Sequence, residues 1–327
     1  MQRLLAALLL LGSSVLAATP APEELQLLGE QAVDGMAGGN LSGLAWCGDA
    51  LWAVSDRDDA QLYRLDSRES RWQATAEPFL APAPPAVHLP WGLRMRGWIA
   101  GLLRGGELDF EGLSCDARGN RYLVSEARAA VLQVPVAGAP NWLNLPPGLV
   151  RQARASGMLL NFNALFEGVA IDPAGERLYL AAERRRRGLL VVHKQRSSWL
   201  CTGGCVLLSE AGNEPGPAQL GGQDEPLDFS ELAFYQDKLF TLERQAHRIC
   251  RRNPNTAEVE RCWSFAAAAL TDARRYPPAY GMAEALWIDA AGAWIGVDNG
   301  HFSRADGERR PIVWRFAAPK GGWGSTQ

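Results

Sequence analysis

One phrase occurs twice in this chain with its ends kept in place. "FEGLSCDARGNRYLVSEAR" runs from Phe110 to Arg128, and "FEGVAIDPAGERLYLAAER" from Phe166 to Arg184. Internal repetition constrains the fold more than any other feature. Three further copies align with these two: "SGLAWC" from Ser42, "SELAFY" from Ser230 and "EALWID" from Glu284. Each is a short alternating apolar run, the pattern of a half-buried strand. A turn with Gly or Asp follows, then a second strand that closes on an acid: Asp56, Glu126, Glu183, Glu243 or Asp298. A third strand is visible after most copies and a fourth after several, as in "WQATAEPFL" and "EVERCWSF".

A four-stranded antiparallel meander that recurs around an axis makes a β-propeller. A β-sandwich would offer no reason for the phrase to return. The copies begin at 42, 111, 167, 230 and 284, and no gap is near twice the others. The last copy lacks a fourth strand, and "ELQLLGEQAV" (Glu24 to Val33) offers one, which would hide both edges. The expectation is therefore an all-β, five-bladed β-propeller of four-stranded antiparallel blades, its last blade closed by the N-terminal strand. Six blades is the alternative. No helix of consequence is expected. The segment 81–106, with "PAPPAVHLPWG", reads as a Pro-rich loop insertion that arches over one face.

Residues 1–18 have a basic start, an apolar run from Leu4 to Leu11 and small residues before Ala17 and Ala18, which is the pattern of a signal peptide. A single domain spanning 19–327 would follow, periplasmic or secreted. The apolar run is too short to span a membrane. A formal net charge of -3 argues against a general nucleic-acid surface. Six Cys in an exported chain suggest disulfides. Cys201 with Cys205 and Cys250 with Cys262 are local pairs. Cys47 and Cys115 fall at the same place on neighbouring inner strands.

The propeller geometry turns the repeat into a site. The start of each first strand and the end of each second strand lie on one face. Ser42, Glu111, Glu167, Ser230 and Glu284 would ring the axis there, with Asp56, Glu126, Glu183, Glu243 and Asp298 in a wider ring. Carboxylates crowded together raise one another's pKa unless a counter-charge is present. A hard cation with oxygen ligands answers this, and Ca²⁺ in the central channel suits flexible carboxylate geometry better than Mg²⁺. The alternative is that the inner Glu bonds backbone amides of the next blade. Arg57, Arg128, Arg184 and Arg244 follow the outer acids, and His301 follows Asp298. They would hold an anionic substrate, or form ordinary surface ion pairs. No nucleophile-elbow, zinc-protease or phosphate-loop motif is present.

These phrases resemble the Glu-Gly…Asp…Gly…Leu-Tyr…Glu stretch of β-propeller phytases. They are more similar still to the phytase-like exported domains described as "esterase-like activity of phytase". "DFSELAFYQDKLFTLERQAHRI" (Asp228 to Ile249) is similar to the calcium-activated apyrases, five-bladed propellers with a central calcium. The Asp-Asp-Pro-Ala phrase of the true phytases is absent here. The resemblance implies calcium ligation by Glu111, Glu167 and Glu284, with Ser42 and Ser230, and places Glu126 and Glu183 on the phosphate side. The function expected is a calcium-dependent phosphoric-ester or anhydride hydrolase acting as a monomer on a small anionic substrate. An outer acid (Glu126, Glu183, Glu243 or Asp298) would serve as the base. A non-catalytic, calcium-stabilised binding propeller and a carboxylic-ester or lactone hydrolase are the alternatives.

Overall fold

The computed structural model describes residues 22–325, except 37–38, 69–70, 86–88, 105–106, 162–163 and 279–280. The signal segment 1–18 and His88 lie outside the described residues. What is described is an all-β, propeller-like fold of antiparallel meanders. The inner strands are Gly43–Cys47, Phe110–Cys115, Phe166–Ile171, Glu231–Tyr235 and Ala283–Ile288. Each packs beside the next, and the strand at 283–288 packs beside the one at 43–47. Each pairs antiparallel with its second strand, as in Leu44 opposite Ala53 and Leu113 opposite Leu123.

The alternation seen in the sequence has a simple consequence. A strand between two neighbouring sheets buries both faces, so its residues feed two cores. Leu44 joins a cluster with Ala285 and Val313, whereas Ala45 joins one with Leu113 and Leu123. Burial of this kind contributes about 25 cal/mol per Å² of apolar surface removed from water. Among the described residues, five such clusters lie between consecutive meanders, and one of them joins the meander at 283–317 to the one at 43–78.

The N-terminal strand closes the circle as the repeat arithmetic implied. Leu27–Asp34 pairs antiparallel with Ile312–Ala317. It also touches Trp72–Pro78 in parallel at Val33 and Asp34, which merges two meanders into one eight-stranded sheet. Glu23–Glu24 adds an edge to Val259–Ser264, a pairing the sequence did not suggest.

The three disulfides are Cys47–Cys115, Cys201–Cys205 and Cys250–Cys262. The first ties two neighbouring inner strands across 68 residues of sequence. Long loops of this kind restrict the unfolded chain most.

The insertion at 81–106 differs from the loop expected of it. Trp91–Arg104 is an α-helix. Its sequence after Pro90 is rich in Leu, Met, Ala and Arg, all good helix formers, and Pro is well tolerated where a helix begins. The Pro-rich run before it masked that signal. A second helix, Leu149–Ala155, buries Leu149, Val150 and Ala153.

Candidate functional site: two carboxylate clusters at the channel mouth

The three inner strands that open on Glu share a distortion. Register shifts fall between Phe110 and Gly112, Phe166 and Gly168, and Ala283 and Ala285. Glu111, Glu167 and Glu284 are therefore each the extra residue of a β-bulge, a device that re-aims a side chain. The two strands preceded by Ser pair without such a shift. The Ser copies also have backbone partners. Ser42 Oγ accepts from Asp56 N at 3.2 Å, and Ser230 Oγ donates to Ala283 O at 3.0 Å. Both are buried, so the Glu and Ser copies have different jobs.

The Gly after Glu111 and after Glu167 is explained by Glu231. This side chain is fully buried and accepts N–H bonds from Val169 at 2.8 Å, Leu113 at 3.2 Å and its own neighbour Leu232 at 2.9 Å. It thereby joins three inner strands. A Cβ on Gly112 would lie 2.5 Å from Glu167 O and 3.0 Å from Glu231 Oε1. One on Gly168 would lie 2.9 Å from the Glu231 backbone. Burial pushes Glu231 well above the ordinary carboxylate range, against the pull of those three N–H groups. The bonding of inner Glu to neighbouring amides, an alternative for Glu111 and its equivalents, is thus performed one position past Ser230.

Among the described residues, six further acids gather in two groups of three. Oxygens of Glu126, Glu167 and Glu183 come within 4.8 Å of one another, as do those of Asp56, Asp109 and Glu111. Glu167 Oε2 and Glu183 Oε2 are buried without a hydrogen-bond donor. Glu126 Oε1 accepts from Leu165 N at 2.9 Å, which fixes it against the next meander. Burial pushes Glu167 well up, with Glu183 and Glu284 adding repulsion. Glu111 is raised in the same direction by burial and by Asp109, Asp56 and Glu126. Asp298 is lifted to about 7, first by burial and then by Asp56 and Glu284. It accepts from Gly300 N at 2.7 Å.

Arg244 lies inside this acid field rather than on its rim. It is 4% exposed and contacts Glu183 at 2.8 Å, Asp228 at 3.4 Å and Glu284 more closely still. Burial works against its charge, but Glu284, Glu167, Asp228 and Glu183 hold the proton more firmly than water does. Burial raises Glu284 and Asp228 to about 7 each, with Arg244 opposing. Arg184 pairs with Glu183 at 2.6 Å and Arg57 with Asp56 at 3.3 Å, both partly exposed. Arg128 stands farther out, 3.9 Å from Glu107. His301 is exposed and stacks near Phe302.

Glu243 departs from the other outer acids. Its carboxylate is enclosed by Arg252 at 2.7 Å, Arg248 at 2.7 Å and Arg187 at 3.2 Å. Burial alone would raise it; the three guanidinium groups overcome that and hold it at about 2. It has no place in either cluster.

The sequence profile of the family described as "Phytase-like: Esterase-like activity of phytase" matches residues 37–200, just over half of the chain. The chain belongs to this family. Both carboxylate clusters of this phytase-like protein come from residues within the matched stretch. No curated protein matches it. Among solved structures, the glutaminyl cyclase of Myxococcus xanthus superposes with a TM-score of 0.50 at 10% identity, over 90% of this chain and 99% of its own. The PQQ-bound aldose sugar dehydrogenase of Streptomyces coelicolor gives 0.45 at 13% identity, over 91% and 100%. Virginiamycin B lyase of Staphylococcus aureus gives 0.39 at 10%, over 90% and 99%. At such identities the likeness concerns fold alone.

The donor set of the phytase-like protein fits a hard cation. Every candidate ligand is a carboxylate oxygen, and two buried oxygens lack a donor. Oxygens bound to one Ca²⁺ at about 2.3–2.6 Å are at most about 5 Å apart, which the 4.8 Å grouping satisfies. Glu126, Glu167 and Glu183 would hold one such ion, and Asp56, Asp109 and Glu111 are the second group of suitable chemistry. Glu284, expected beside Glu111 and Glu167, is instead tied to Arg244. Asp109 and Asp228 were not anticipated. Their signal is the "DF" that precedes "EGL" and "SEL", two places ahead of the inner Glu or Ser.

Proposed function

We propose that this protein is an exported hydrolase of phosphoric esters or anhydrides that depends on calcium, built on five blades closed by the N-terminal strand. The observation that carries the reading is the pair of buried carboxylate clusters at one face, with orphan oxygens on Glu167 and Glu183 and arginines at the rim. The family's phytase-like description and the three disulfides support it. The disulfides suit the periplasm or the extracellular space.

The roles follow from position. Bound Ca²⁺ would neutralise the substrate's anionic oxygens and make phosphorus more electrophilic. Arg184 and Arg57, partly exposed beside Glu183 and Asp56, would hold non-bridging oxygens. Arg244, being buried, keeps Glu183, Glu284 and Asp228 in place. Asp298, at about 7, is matched to accept a proton from attacking water near neutral pH. Glu126 and Glu183 orient rather than transfer, since Glu126 bonds Leu165 N and Glu183 bonds two arginines. Glu243 has a structural role.

A panel of phosphomonoesters, diesters and nucleoside polyphosphates, assayed with calcium and with chelator, tests the reading. Turnover that needs calcium and falls on the order of 10²-fold or more in Asp298→Asn is expected. Turnover of uncharged esters or lactones that inorganic phosphate does not inhibit would favour the carboxylic-ester alternative. Calcium stabilisation with no turnover of any kind would favour a binding propeller.

A further inference from the structure

A cavity of about 120 Å³ lies between the meander at 231–264 and the one at 283–317. Leu220, Phe265, Leu270, Met282 and Trp314 give it apolar walls. It adjoins the acid field through two stretches of backbone. His247, on its wall, donates its backbone N–H to Arg244 O at 3.0 Å. Ala283, also on its wall, precedes Glu284, which pairs with Arg244. Arg274 and Arg275 border the cavity too, but their charges are met by Glu30 at 2.6 Å and Asp272 at 3.9 Å. None of its lining residues belongs to either carboxylate cluster.

Two polar atoms of the lining have no partner among the described residues. The Tyr276 hydroxyl is buried and bonds nothing. His247 is 2% exposed. Its Nδ1 lies 3.3 Å from Gln245 O, which can only accept, so Nδ1 holds the proton and Nε2 keeps a lone pair. Burial pushes His247 down to about 4 against the pull of the Gln245 carbonyl, and Arg244 adds to the fall. The ring is therefore neutral at neutral pH. A Cβ on Gly281 would lie 2.6 Å from Nε2, so the bare glycine, itself part of the lining, leaves that nitrogen open. Orphan polar atoms weaken a fold, and a native structure that keeps them needs a reason. One water does not supply it: its share of liquid volume is about 30 Å³, roughly a quarter of this space. Further waters would meet mostly carbon.

We propose that this cavity is a binding site for a small neutral alcohol with an aromatic or compact aliphatic body. The apolar walls take the body. A hydroxyl serves both orphan atoms at once, donating to His247 Nε2 and accepting from the Tyr276 hydroxyl. The size agrees: a cavity of about 150 Å³ takes up benzene, and this one is close to that. A neutral ligand fits because both bordering arginines already have acids. Beside a hydrolase site, such a cavity receives the alcohol that an ester releases. In that part alone the inference rests on the hydrolase reading.

The test is an NMR titration of the mature full-length protein with phenol, and with toluene, which keeps the body and lacks the hydroxyl. Phenol should bind, and toluene about tenfold less tightly. Tyr276→Phe should weaken phenol binding by about the same factor. Its melting temperature should stay or rise, because the hydroxyl it removes bonds nothing. Ala269→Leu fills the cavity from its lining and should abolish binding; it serves if Tyr276→Phe fails to fold. The site is overturned if the wild type does not bind phenol, if toluene binds as tightly, or if both variants bind like the wild type. Phenol should also inhibit turnover of phosphate esters by the wild type and not by Ala269→Leu. Phenol binding without inhibition would overturn the product role and leave the site standing. Absence of turnover on every ester would count against the hydrolase reading and leave the phenol titration as it is.

Discussion

Replacing Glu243 by Gln separates a structural acid from a chemical one. The change keeps the shape and removes the charge that Arg187, Arg248 and Arg252 share. Arg252 is 2% exposed, so its guanidinium cannot turn to water. Two routes give the size of the effect. The fall from the ordinary 4.5 to about 2, at about 1.4 kcal/mol per tenfold change in proton affinity, comes to about 3 kcal/mol. Breaking one side of a buried ion pair costs about 3–5 kcal/mol in general. At about 2 °C per kcal/mol for a chain of this size, Glu243→Gln should melt roughly 6–10 °C lower. Calorimetry at neutral pH reads this directly. A group held below its ordinary value contributes stability above the unfolded pKa and loses it as pH falls through the folded one. The gap between wild type and Glu243→Gln should therefore be constant above about pH 5 and close toward about pH 2. A variant that melts like the wild type but loses activity about a hundredfold would refute the structural role and return Glu243 to the chemistry.

Four further outcomes follow from the same geometry. Gly112→Ala should destabilise by at least about 2 kcal/mol in a denaturant melt, because its Cβ meets the Glu167 carbonyl and Glu231. Glu231→Ala should cost about 3 kcal/mol or more by leaving the Leu113 and Val169 amides without acceptors, while Glu231→Gln should recover much of the loss. Arg244→Met should lower the melting temperature in chelator by the equivalent of about 3–5 kcal/mol, with partial rescue by calcium. Raised acids such as Glu111 and Glu167 favour the fold when protonated, and that support is lost as pH rises through their folded values. Calcium should therefore raise the melting temperature more at pH 8 than at pH 5, since protons compete for the same oxygens.

The repeat exposed the inner strands, their partners and the N-terminal closure because those features are periodic, and periodicity survives in a sequence. The two rings were legible for the same reason, being read from equivalent positions. The closing of Glu126 and Glu183 on Glu167 was not: only the inner acids were expected on the cation, and the outer ones in the chemistry. The difference between Glu284 and its two counterparts was not, because it depends on Arg244 entering the acid field from a neighbouring meander. Glu243 looked like its equivalents and is neutralised by arginines on the third strand of its own meander and on the third strand of the preceding one. Glu231 was hidden by alignment, since its own column holds Gly in the copies whose space it fills. The helix at 91–104 was obscured by the prolines before it, although its own residues carried the helical spacing.

The most direct test is calcium binding to the chelator-treated mature protein, followed by calorimetry and by melting temperature. The account predicts that calcium at about 100 times its dissociation constant adds about 2.7 kcal/mol of stability, roughly 5 °C. It also predicts that Glu126→Gln with Glu167→Gln abolishes the binding heat while the disulfide-linked fold survives. No binding heat and no thermal shift in the wild type would contradict the claim that these carboxylates form a cation site.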